Sequence, residues 1–303
     1  FTVANGATFP GSLDGRGGSD TLTFAAFNSA RAVILSGAGS IDGLNGSETN
    51  LTPASGDGFF NIDILIGSAS NTDSLTGANQ TADWEIDGSN RYLIATTLNF
   101  TSFETLIGGS GRDTFTLTGT QNYAIQGGAG DDTLKFNSGA IFAGTFDGQI
   151  GSDTLDYSAF GVAAPVTVNL STASIQNVTG SISSVENVIG GSGNDNLTGD
   201  GTNNMLDGGP GNDNLYGLGG DDTYRFRDGW GVDTVYENAG QGADTMDFSA
   251  VSFNLTVIIN ASITVSGSGN AASHSANNVE TVIGGAGVDI FTITGARPIS
   301  LKG

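Results

Sequence analysis

Aspartates recur at a fixed place after clusters of glycine, and this spacing could hold a metal ion. Residues 190–198 read GGSGNDNLT and residues 208–216 read GGPGNDNLY, so the two stretches differ at only two of nine positions. Glycine reaches the backbone conformations of tight turns, and it lets neighbouring loops approach closely. Stacked loops of this kind would surround a gap with backbone carbonyls and carboxylates. An all-oxygen set of about six ligands suits a hard cation, and Ca²⁺ tolerates irregular geometry better than Mg²⁺ does.

The nine-residue pattern is repeated in tandem over residues 190–225 and recurs elsewhere in the chain. The sixth place of the tandem copies holds Asp195, Asn204, Asp213 and Asp222. Copies at 15–23, 108–116, 127–135, 148–156 and 284–292 supply Asp20, Asp113, Asp132, Asp153 and Asp289. Weaker forms place Asp73, Asp233 and Asp244 in the same role. We predict that these side chains are the metal ligands, in loops shaped by Gly191, Gly193, Gly209 and Gly211.

The spacing of the aspartates predicts a coiled chain. Neighbouring members of one series lie about 20 residues apart, or about twice that: Asp73, Asp113, Asp132, Asp153, Asp195, Asp213 and Asp233. Thr, Val, Ile, Leu and Phe dominate the runs between glycines and alternate with a period of two, which is typical of strands with one buried face. The sequence therefore predicts an all-β fold, a parallel β-solenoid of about 20 residues per turn that is continuous over residues 1–303.

A longer repeat divides the solenoid into modules at approximately 1–126, 127–239 and 240–303. Three segments inside these modules, 36–58, 171–183 and 261–277, are rich in Ser, Gly, Ala and Asn, and we predict that they are loops protruding from the coil. The Gly-free run Ser89–Ile107 is rich in β-branched and aromatic residues, so we predict strand there.

The amino-acid composition limits the kinds of partner and environment that the chain can have. Asp and Glu number 31 against 9 Lys and Arg, for a net charge of −22, which argues against binding to nucleic acid. Such an imbalance destabilises a compact state by self-repulsion, and bound divalent cations would offset it. The chain has no cysteine, so it forms no disulfides. No apolar run approaches the roughly 20 residues that span a bilayer, so we expect no membrane insertion.

Candidate catalytic groups are few, and we predict that the chain is not an enzyme. The single histidine, His274, lies in a Ser/Ala/Asn-rich segment where a solvated side chain is the favoured interpretation. No GxSxG nucleophile motif occurs. Carboxylate-pair chemistry of the glycosidase kind stays open, although most acidic residues occupy turn positions.

Two further sets of side chains have both a structural and a functional interpretation. Glu104, Glu186 and Glu280 each precede a glycine, and the solvent-facing interpretation is favoured over a contact with a calcium loop. Trp84 and Trp230 could form a sugar-binding platform together with tyrosines, but they show no regular spacing. Packing in the core or at an edge is therefore the favoured prediction for both tryptophans.

The pattern GGxGxDxUx resembles the calcium-binding nonapeptide of the RTX (repeats-in-toxin) family. The resemblance covers about half of the chain and is strongest over 190–225. It implies a right-handed parallel β-roll, with two nonapeptides per turn and several Ca²⁺ ions between loops on the same side. Carried over to this chain, Asp195 and Asp213 share one ion, and Asn204 and Asp222 share another on the opposite side. We expect the second site to be weaker, because Asn204 supplies a neutral oxygen.

The resemblance also implies secretion and folding in a calcium-rich exterior. Our preferred expectation is an extracellular, cell-surface structural protein, namely a filament, surface-layer or adhesin segment that associates with copies of itself. One alternative is the accessory calcium-folding region of a secreted lipase, protease or polysaccharide-modifying enzyme. Another is a calcium-dependent carbohydrate-binding module, for which cell-surface glycans would be the partners.

Overall fold

The chain folds into short β-strands joined by turns. The computed structural model describes residues 1–7, 11–48, 58–275, 278–294 and 299–303, and no helix occurs among them. In chain order the strands are β1 Leu13–Asp14, β2 Thr21–Thr23, β3 Ala32–Ala38, β4 Leu44–Glu48, β5 Phe59–Ile62, β6 Ile64–Ile66, β7 Ser74–Thr76, β8 Ala82–Ile86, β9 Arg91–Leu93, β10 Thr97–Thr101, β11 Thr105–Gly109, β12 Asp113–Leu117, β13 Thr120–Gln121, β14 Ala124–Ala129, β15 Thr133–Phe136, β16 Ile141–Phe142, β17 Thr145–Ile150, β18 Thr154–Asp156, β19 Thr167–Asn169, β20 Ser174–Ile175, β21 Ser181–Ser183, β22 Asn187–Ile189, β23 Asn196–Thr198, β24 Met205–Asp207, β25 Asn214–Tyr216, β26 Thr223–Arg227, β27 Val232–Tyr236, β28 Thr245–Ala250, β29 Thr256–Ile259, β30 Ile263–Gly267, β31 Asn270–His274, β32 Thr281–Ile283, β33 Ile290–Ile293 and β34 Ser300–Lys302.

The strands fall into two compact units, which we describe separately. Unit 1 comprises Phe1–Lys135, Gly139–Asp153 and Asn177–Ser184. Its sheet A has the strand order β1-β5-β4-β3-β7-β11-β14-β17-β21, and its sheet B has the order β2-β6-β10-β9-β8-β12-β15. Strands β11, β14 and β17 are parallel, with Thr105 opposite Ala124 and Ala124 opposite Thr145. One turn of this coil thus takes about 20 residues.

Unit 2 comprises Phe136–Ser138, Thr154–Gln176 and Val185–Gly303. Its sheet C has the order β20-β19-β23-β25-β27-β31-β30-β29-β33, and its sheet D has the order β18-β22-β24-β26-β28-β32-β34. The tandem repeats alternate between the two sheets, because β23 and β25 lie in sheet C whereas β24 and β26 lie in sheet D. Two nonapeptides therefore make one turn of the coil.

The apolar residue two places after each aspartate forms the core. In sheet C, Leu197 lies opposite Leu215, which lies opposite Val235. In sheet D, Leu206 lies opposite Tyr224. All five side chains are fully buried. Alternation along each strand points these residues inward, and the constant register stacks them on one another from turn to turn. The prediction of an all-β parallel solenoid is confirmed.

The prediction that the seven aspartates form one series along the coil was wrong. Asp73 precedes a strand of sheet A, whereas Asp113 begins a strand of sheet B, so the long step between them is a change of sheet. In unit 2, the residue opposite Asp195 in the preceding turn is at position 166, a valine, because Thr167 pairs with Asn196. The spacing looked regular because a step between rows is about twice as long as a step within a row.

The three inserts predicted as loops contain strands. In sheet A, β4 runs antiparallel to β3 and β5, and in sheet C, β30 runs antiparallel to β29 and β31. In the segment 171–183, β20 is antiparallel to β19, and β21 pairs with β17. The prediction of loops was wrong because small and polar residues, which are typical of loops, also occur in exposed antiparallel strands. Residues 49–57 and 276–277 of the inserts lie outside the described residues. The division of 1–303 into three modules of one continuous solenoid remains a prediction.

Both tryptophans pack in the interior, in agreement with the favoured prediction. Trp84 stacks on Phe115 in unit 1, with ring centroids 5.4 Å apart. Trp230 stacks on Phe253 in unit 2, with centroids 5.7 Å apart. Ring pairs of this kind add aromatic packing to the core. None of the described residues forms a helix that is long and apolar enough to cross a membrane.

Candidate calcium sites

The repeat aspartates of sheet C form a row at the start of successive strands. Asp195 precedes β23, Asp213 precedes β25, and Asp233 is the second residue of β27. The backbone N–H of Asp195 donates to Oδ1 of Asp213 at 2.7 Å, and the N–H of Asp213 donates to Oδ1 of Asp233 at 2.9 Å. The carboxylates of Asp213 and Asp233 thus each accept a hydrogen bond from the aspartate of the preceding turn, which fixes the distance between neighbouring loops.

A second row in sheet D has the same hydrogen bonds but mixed side chains. The N–H of Asn204 donates to Oδ1 of Asp222 at 2.8 Å, and that of Asp222 donates to Oδ1 of Asp244 at 2.9 Å. The N–H of Asp244 then donates to Oε2 of Glu280 at 2.8 Å. The structure therefore separates Asn204 and Asp222 from Asp195 and Asp213 by placing them in different sheets, as the resemblance implied.

Unit 1 contains two further rows. In sheet B, the N–H of Asp113 donates to Oδ1 of Asp132 at 2.8 Å, and that of Asp132 donates to Oδ1 of Asp153 at 2.7 Å. In sheet A, the N–H of Asp73 donates to Oε2 of Glu104 at 2.9 Å. The predicted ligands Asp113, Asp132 and Asp153 are thus brought together, while Asp73 belongs to a separate row.

The favoured interpretation of the recurring glutamates was wrong for Glu104 and Glu280. Both are half-buried, and both take the place of an aspartate at the end of a row by accepting the backbone N–H of the preceding turn. Their longer side chains reach that donor from the positions just before β11 and β32. The recurrence of a glutamate before each glycine was the signal, but the sequence did not show that an aspartate row ended beside it.

The second carboxylate oxygens divide the aspartates into two groups. Oδ2 of Asp195 accepts the N–H of Gly191 at 2.6 Å, and Oδ2 of Asp289 accepts the N–H of Gly285 at 2.8 Å. The other group has a buried Oδ2 with no hydrogen-bond partner among the described residues: Asp113, Asp132, Asp213, Asp222 and Asp244. Buried polar atoms normally have a hydrogen-bond partner. The Oδ2 atoms of this second group have none within the fold, so they are available to bind a ligand such as a cation.

The electrostatics of the rows lead to the same conclusion. Burial raises the pKa of Asp213 to about 7 and that of Asp222 to about 7. Burial and the neighbouring Asp132 raise the pKa of Asp113 to about 8, while burial and the neighbouring Asp213 raise that of Asp233 to about 8. These carboxylates resist ionisation where the fold places them. A bound divalent cation would stabilise their charged form.

The loop glycines are required by close contacts between turns. Gly209 has a φ of +84°, and a Cβ there would overlap the carbonyl oxygen of Gly191. A Cβ on Gly211 would overlap the carbonyl oxygen of Gly193 in the same way. Cβ atoms on Gly191 and Gly193 would press on the backbone of the turn before them. The four predicted glycines therefore stack backbone on backbone, which brings carbonyl oxygens close to the carboxylates.

Two predicted ligands lie at less enclosed positions. Asp20 is half-buried, and its N–H donates to Oδ2 of Asp63 at 2.9 Å. Asp289 is also half-buried, and its Oδ1 accepts the N–H of Leu255 at 2.9 Å. Asp63 extends the arrangement in unit 1, although its segment has no recognisable nonapeptide.

One acidic residue near the sheet D row escaped the sequence analysis. Carboxylate oxygens of Asp222, Glu237 and Asp244 lie within 4.8 Å of one another, and all three side chains are buried. Glu237 follows β27, outside the nonapeptide pattern, so its position gave no signal. Tyr224 stands where the other tandem repeats have leucine, and its hydroxyl contacts Glu237.

The unpartnered buried oxygens, the raised carboxylate pKa values and the stacked carbonyls fit a hard cation such as Ca²⁺. A family model for the RTX calcium-binding nonapeptide repeat matches residues 124–140 and 189–224, in four copies. Among curated proteins, none matches this chain. The matched segments coincide with the copy at 127–135 and with the tandem array. The chain therefore carries RTX repeats, and these repeats bind several Ca²⁺ ions.

Proposed function

We propose that this chain is an extracellular structural protein that calcium folds and stabilises, and that associates with copies of itself. The observation that carries this proposal is the set of buried aspartates whose Oδ2 atoms have no partner among the described residues. Burying unpaired charge is strongly unfavourable, and a divalent cation between turns would remove the cost. The net charge of −22 acts in the same direction.

Each row of aspartates would hold its ions between successive loops. In sheet C, Asp195, Asp213 and Asp233 supply the carboxylates, and in sheet D, Asp222 and Asp244 supply them beside the neutral oxygen of Asn204. The rows in unit 1 offer Asp113, Asp132 and Asp153, and single positions elsewhere offer Asp20 and Asp289. When bound, Ca²⁺ supplies positive charge and replaces the missing hydrogen bonds. The loops come together only in the folded chain, so binding and folding are coupled.

The coupling of folding to calcium supports an extracellular location. Modules that act outside cells bind Ca²⁺ with dissociation constants of about 10⁻⁴–10⁻³ M, which suits the exterior but not the cytosol. The chain would remain loosely folded inside the cell and fold after export.

Self-association is supported by an exposed edge in unit 2. Among the described residues, strand β33 is the outermost strand of sheet C, and Ile290 and Ile293 on it are 60% and 49% exposed. An apolar edge strand with unpaired backbone groups is a template for strand addition. A second copy of the chain would satisfy both the backbone and the side chains of this edge.

Circular dichroism during a calcium titration from excess chelator tests the folding part of the proposal. We expect the β signal to increase with Ca²⁺ and to respond far less to Mg²⁺. A chain that is fully folded in chelator and indifferent to Ca²⁺ would refute it. Size-exclusion chromatography with light scattering tests the assembly part, with Ile290→Lys/Ile293→Lys as the variant and Ile34→Lys as the control. Ile34 is similarly exposed, at 53%, but lies on β3 inside sheet A. Only the double variant should stay monomeric.

In this proposal the chain is not an enzyme. His274 is 1% exposed, and its Nδ1 lies 3.0 Å from the carbonyl oxygen of Val235. The prediction that His274 is solvated was wrong, because its segment forms β31 and turns the ring into the core. The ring is therefore not accessible to a substrate. The net negative charge likewise supports the expectation that nucleic acid is not a partner.

A second candidate function, calcium-dependent carbohydrate binding, is favoured by one cavity in unit 2. It has a volume of about 210 Å³, and its lining includes Asp207, Arg227, Trp230 and the loop residue Gly191. This is below the roughly 300–1,000 Å³ of ordinary ligand sites, so it would admit a single small ring. A glycan array probed with and without Ca²⁺ is the direct test, with Asp207→Asn as the variant. Binding that Asp207→Asn leaves unchanged would exclude this cavity.

A further inference from the structure

The buried carboxylates Asp222, Glu237 and Asp244 are the one cluster among the described residues in which three acidic groups converge. Their carboxylate oxygens lie within 4.8 Å of one another. Asp222 and Asp244 are each 1% exposed, and Glu237 is 6% exposed. Each of the three has one buried oxygen without a hydrogen-bond partner: Oδ2 of Asp222, Oδ2 of Asp244 and Oε2 of Glu237.

The remaining oxygens of the cluster are held in place by the fold. Oδ1 of Asp222 accepts the N–H of Asn204, and Oδ1 of Asp244 accepts the N–H of Asp222. Oε1 of Glu237 accepts a hydrogen bond from the hydroxyl of Tyr224. The partnered oxygens therefore orient the carboxylates, and one oxygen of each carboxylate lies within 4.8 Å of an oxygen of the other two.

Tyr224 connects the core to this cluster. Its hydroxyl accepts the N–H of Gly217 at 2.8 Å and donates to Glu237. The corresponding residues in the other three tandem repeats are Leu197, Leu206 and Leu215, which have no polar group. The exchange of leucine for tyrosine at one repeat thus coincides with the glutamate, Glu237, that accepts a hydrogen bond from this tyrosine. A Cβ on Gly217 would overlap Oδ2 of Asp222 and Oε1 of Glu237, so the loop covers the cluster closely.

The neighbouring charges do not neutralise the cluster. Asp200, Asp221 and Glu280 lie near enough to raise the pKa of Asp222 or Asp244. All of them are acidic. Three converging carboxylates with acidic neighbours are unfavourable in a buried site unless a cation lies among them.

We propose that Asp222, Glu237 and Asp244 form a calcium site completed by a residue from outside the repeats, and that this site binds Ca²⁺ more tightly than the two-aspartate positions of the sheet C row. The number of charged ligands and their rigidity set the affinity of a Ca²⁺ site. Here the third carboxylate adds charge, and the Tyr224 hydroxyl holds it in place. The inference rests on the calcium-dependent folding proposed above, but it concerns one site only.

The test is calcium binding by the full-length chain, measured by isothermal titration calorimetry, for the wild type and Glu237→Gln. We expect the tightest phase of the wild type to weaken by about tenfold or more in Glu237→Gln, with the weaker phases unchanged. Glu85→Gln is the matched control, because Glu85 pairs with Arg91 at a half-exposed position in unit 1. It should leave every phase as in the wild type.

Urea unfolding distinguishes a calcium ligand from a purely structural residue. If Glu237 is a calcium ligand, Glu237→Gln removes a buried charge, so the variant should be more resistant to urea than the wild type in chelator and should gain less stability from added Ca²⁺. A variant that loses stability equally with and without Ca²⁺ overturns the proposal.

Tyr224→Phe provides a second measurement with Tb³⁺ in place of Ca²⁺. It keeps the three carboxylates, so we expect the ion still to bind, but with weaker luminescence when excited through the aromatic side chains. Unchanged luminescence in Tyr224→Phe, or an unchanged tightest phase in Glu237→Gln, refutes this site while leaving calcium-dependent folding intact. A wild type that does not bind Ca²⁺ at all refutes both.

Discussion

The two rows of unit 2 start from the same nine-residue repeat but are completed by different side chains. In sheet C, aspartate follows aspartate, from Asp195 to Asp213 to Asp233. In sheet D, the series runs from Asn204 through two aspartates to Glu280, with Glu237 beside it. The backbone hydrogen bonds are the same in both rows.

The comparison separates two tasks that the repeat aspartate performs. Capping the N–H of the preceding turn needs only an oxygen acceptor, so glutamate can replace aspartate without changing the coil. Holding a cation needs charge, and there the rows differ. The sheet C row has one carboxylate in each turn. The sheet D row begins with the neutral Asn204, and Glu237 adds an extra carboxylate near its other end.

Raising the pH in the absence of calcium should produce the largest effect, because it acts on both rows and on unit 1 together. Burial raises the pKa of Asp213 and Asp222 to about 7 and those of Asp113 and Asp233 to about 8, from an ordinary value of 3.8. The folded chain therefore keeps protons that the unfolded chain releases. The stability these groups allow is fully present below about pH 4 and is lost as the pH rises through about 7 and 8.

Urea unfolding in chelator at pH 5 and pH 8 measures this loss. With saturating Ca²⁺ the cation takes the place of the protons, so the midpoint at pH 8 should recover most. If the midpoints in chelator are equal at the two pH values, the carboxylates are not buried as the structure places them.

Gly209→Ala should have the next largest effect, and Gly201→Ala is its counterpart on the other row. An alanine at the φ of +84° found at Gly209 costs about 1–3 kcal/mol in backbone strain. Overlap with the carbonyl oxygen of Gly191 adds about 1–3 kcal/mol more. Gly201 has no atom within 4 Å of an added Cβ, and its φ is outside the left-handed region. Alanine there should be neutral or stabilising, by up to about 1 kcal/mol.

Thermal unfolding in saturating Ca²⁺ compares the two glycine variants. Similar midpoints for Gly209→Ala and Gly201→Ala would contradict the close stacking of loops in the sheet C row.

The exchange of charge between the rows should have a smaller effect. Asn204→Asp adds a carboxylate to sheet D but loses the hydrogen bond from Nδ2 of Asn204 to the carbonyl of Glu186. We expect the apo form to lose about 1–2 kcal/mol and the local Ca²⁺ affinity to rise about tenfold, or about 1.4 kcal/mol. Asp213→Asn makes the opposite change, because it removes a carboxylate charge from sheet C. Its Oδ1 can still accept the N–H of Asp195, so we expect weaker Ca²⁺ binding in the sheet C row without the loss of this hydrogen bond.

Calcium titrations of these two variants measure the exchange. If both weaken calcium binding, then side-chain geometry, rather than charge, distinguishes the rows.

How far the sequence predicts these rows depends on whether a residue follows the local pattern. Asp195, Asn204, Asp213 and Asp222 lie alternately beside the two sheets, as the resemblance to RTX repeats implied. The glycines were predictable because close stacking leaves room for nothing larger. Asp73 was misplaced because the step from its row to the next is about twice a step within a row and so fitted a single series.

Other features depend on contacts that no local pattern encodes. Glu237 meets Asp222 only because β27 and the turn after it fold over the row. His274 is buried because β31 pairs with β27, which its Ser- and Ala-rich surroundings did not indicate. The inserts became strands for the same reason: pairing with an existing sheet, rather than propensity, determined their structure.

The smallest expected effect concerns the outer faces of the two sheets. On sheet C, Tyr216 and Tyr236 stack with centroids 4.3 Å apart and planes inclined by 5°. On sheet D, Nε of Arg227 lies 2.8 Å from Oδ2 of Asp207. A double-mutant cycle should give about 0.5–1.5 kcal/mol for the tyrosine pair, and little dependence on salt, because stacking is not an interaction between net charges. The same cycle for Arg227 and Asp207 should give a comparable value at low salt that falls as NaCl screens the half-exposed guanidinium. A tyrosine coupling that falls with salt as steeply as the ion pair would mean that both faces depend on charge, and that the contrast between the sheets is confined to their calcium rows.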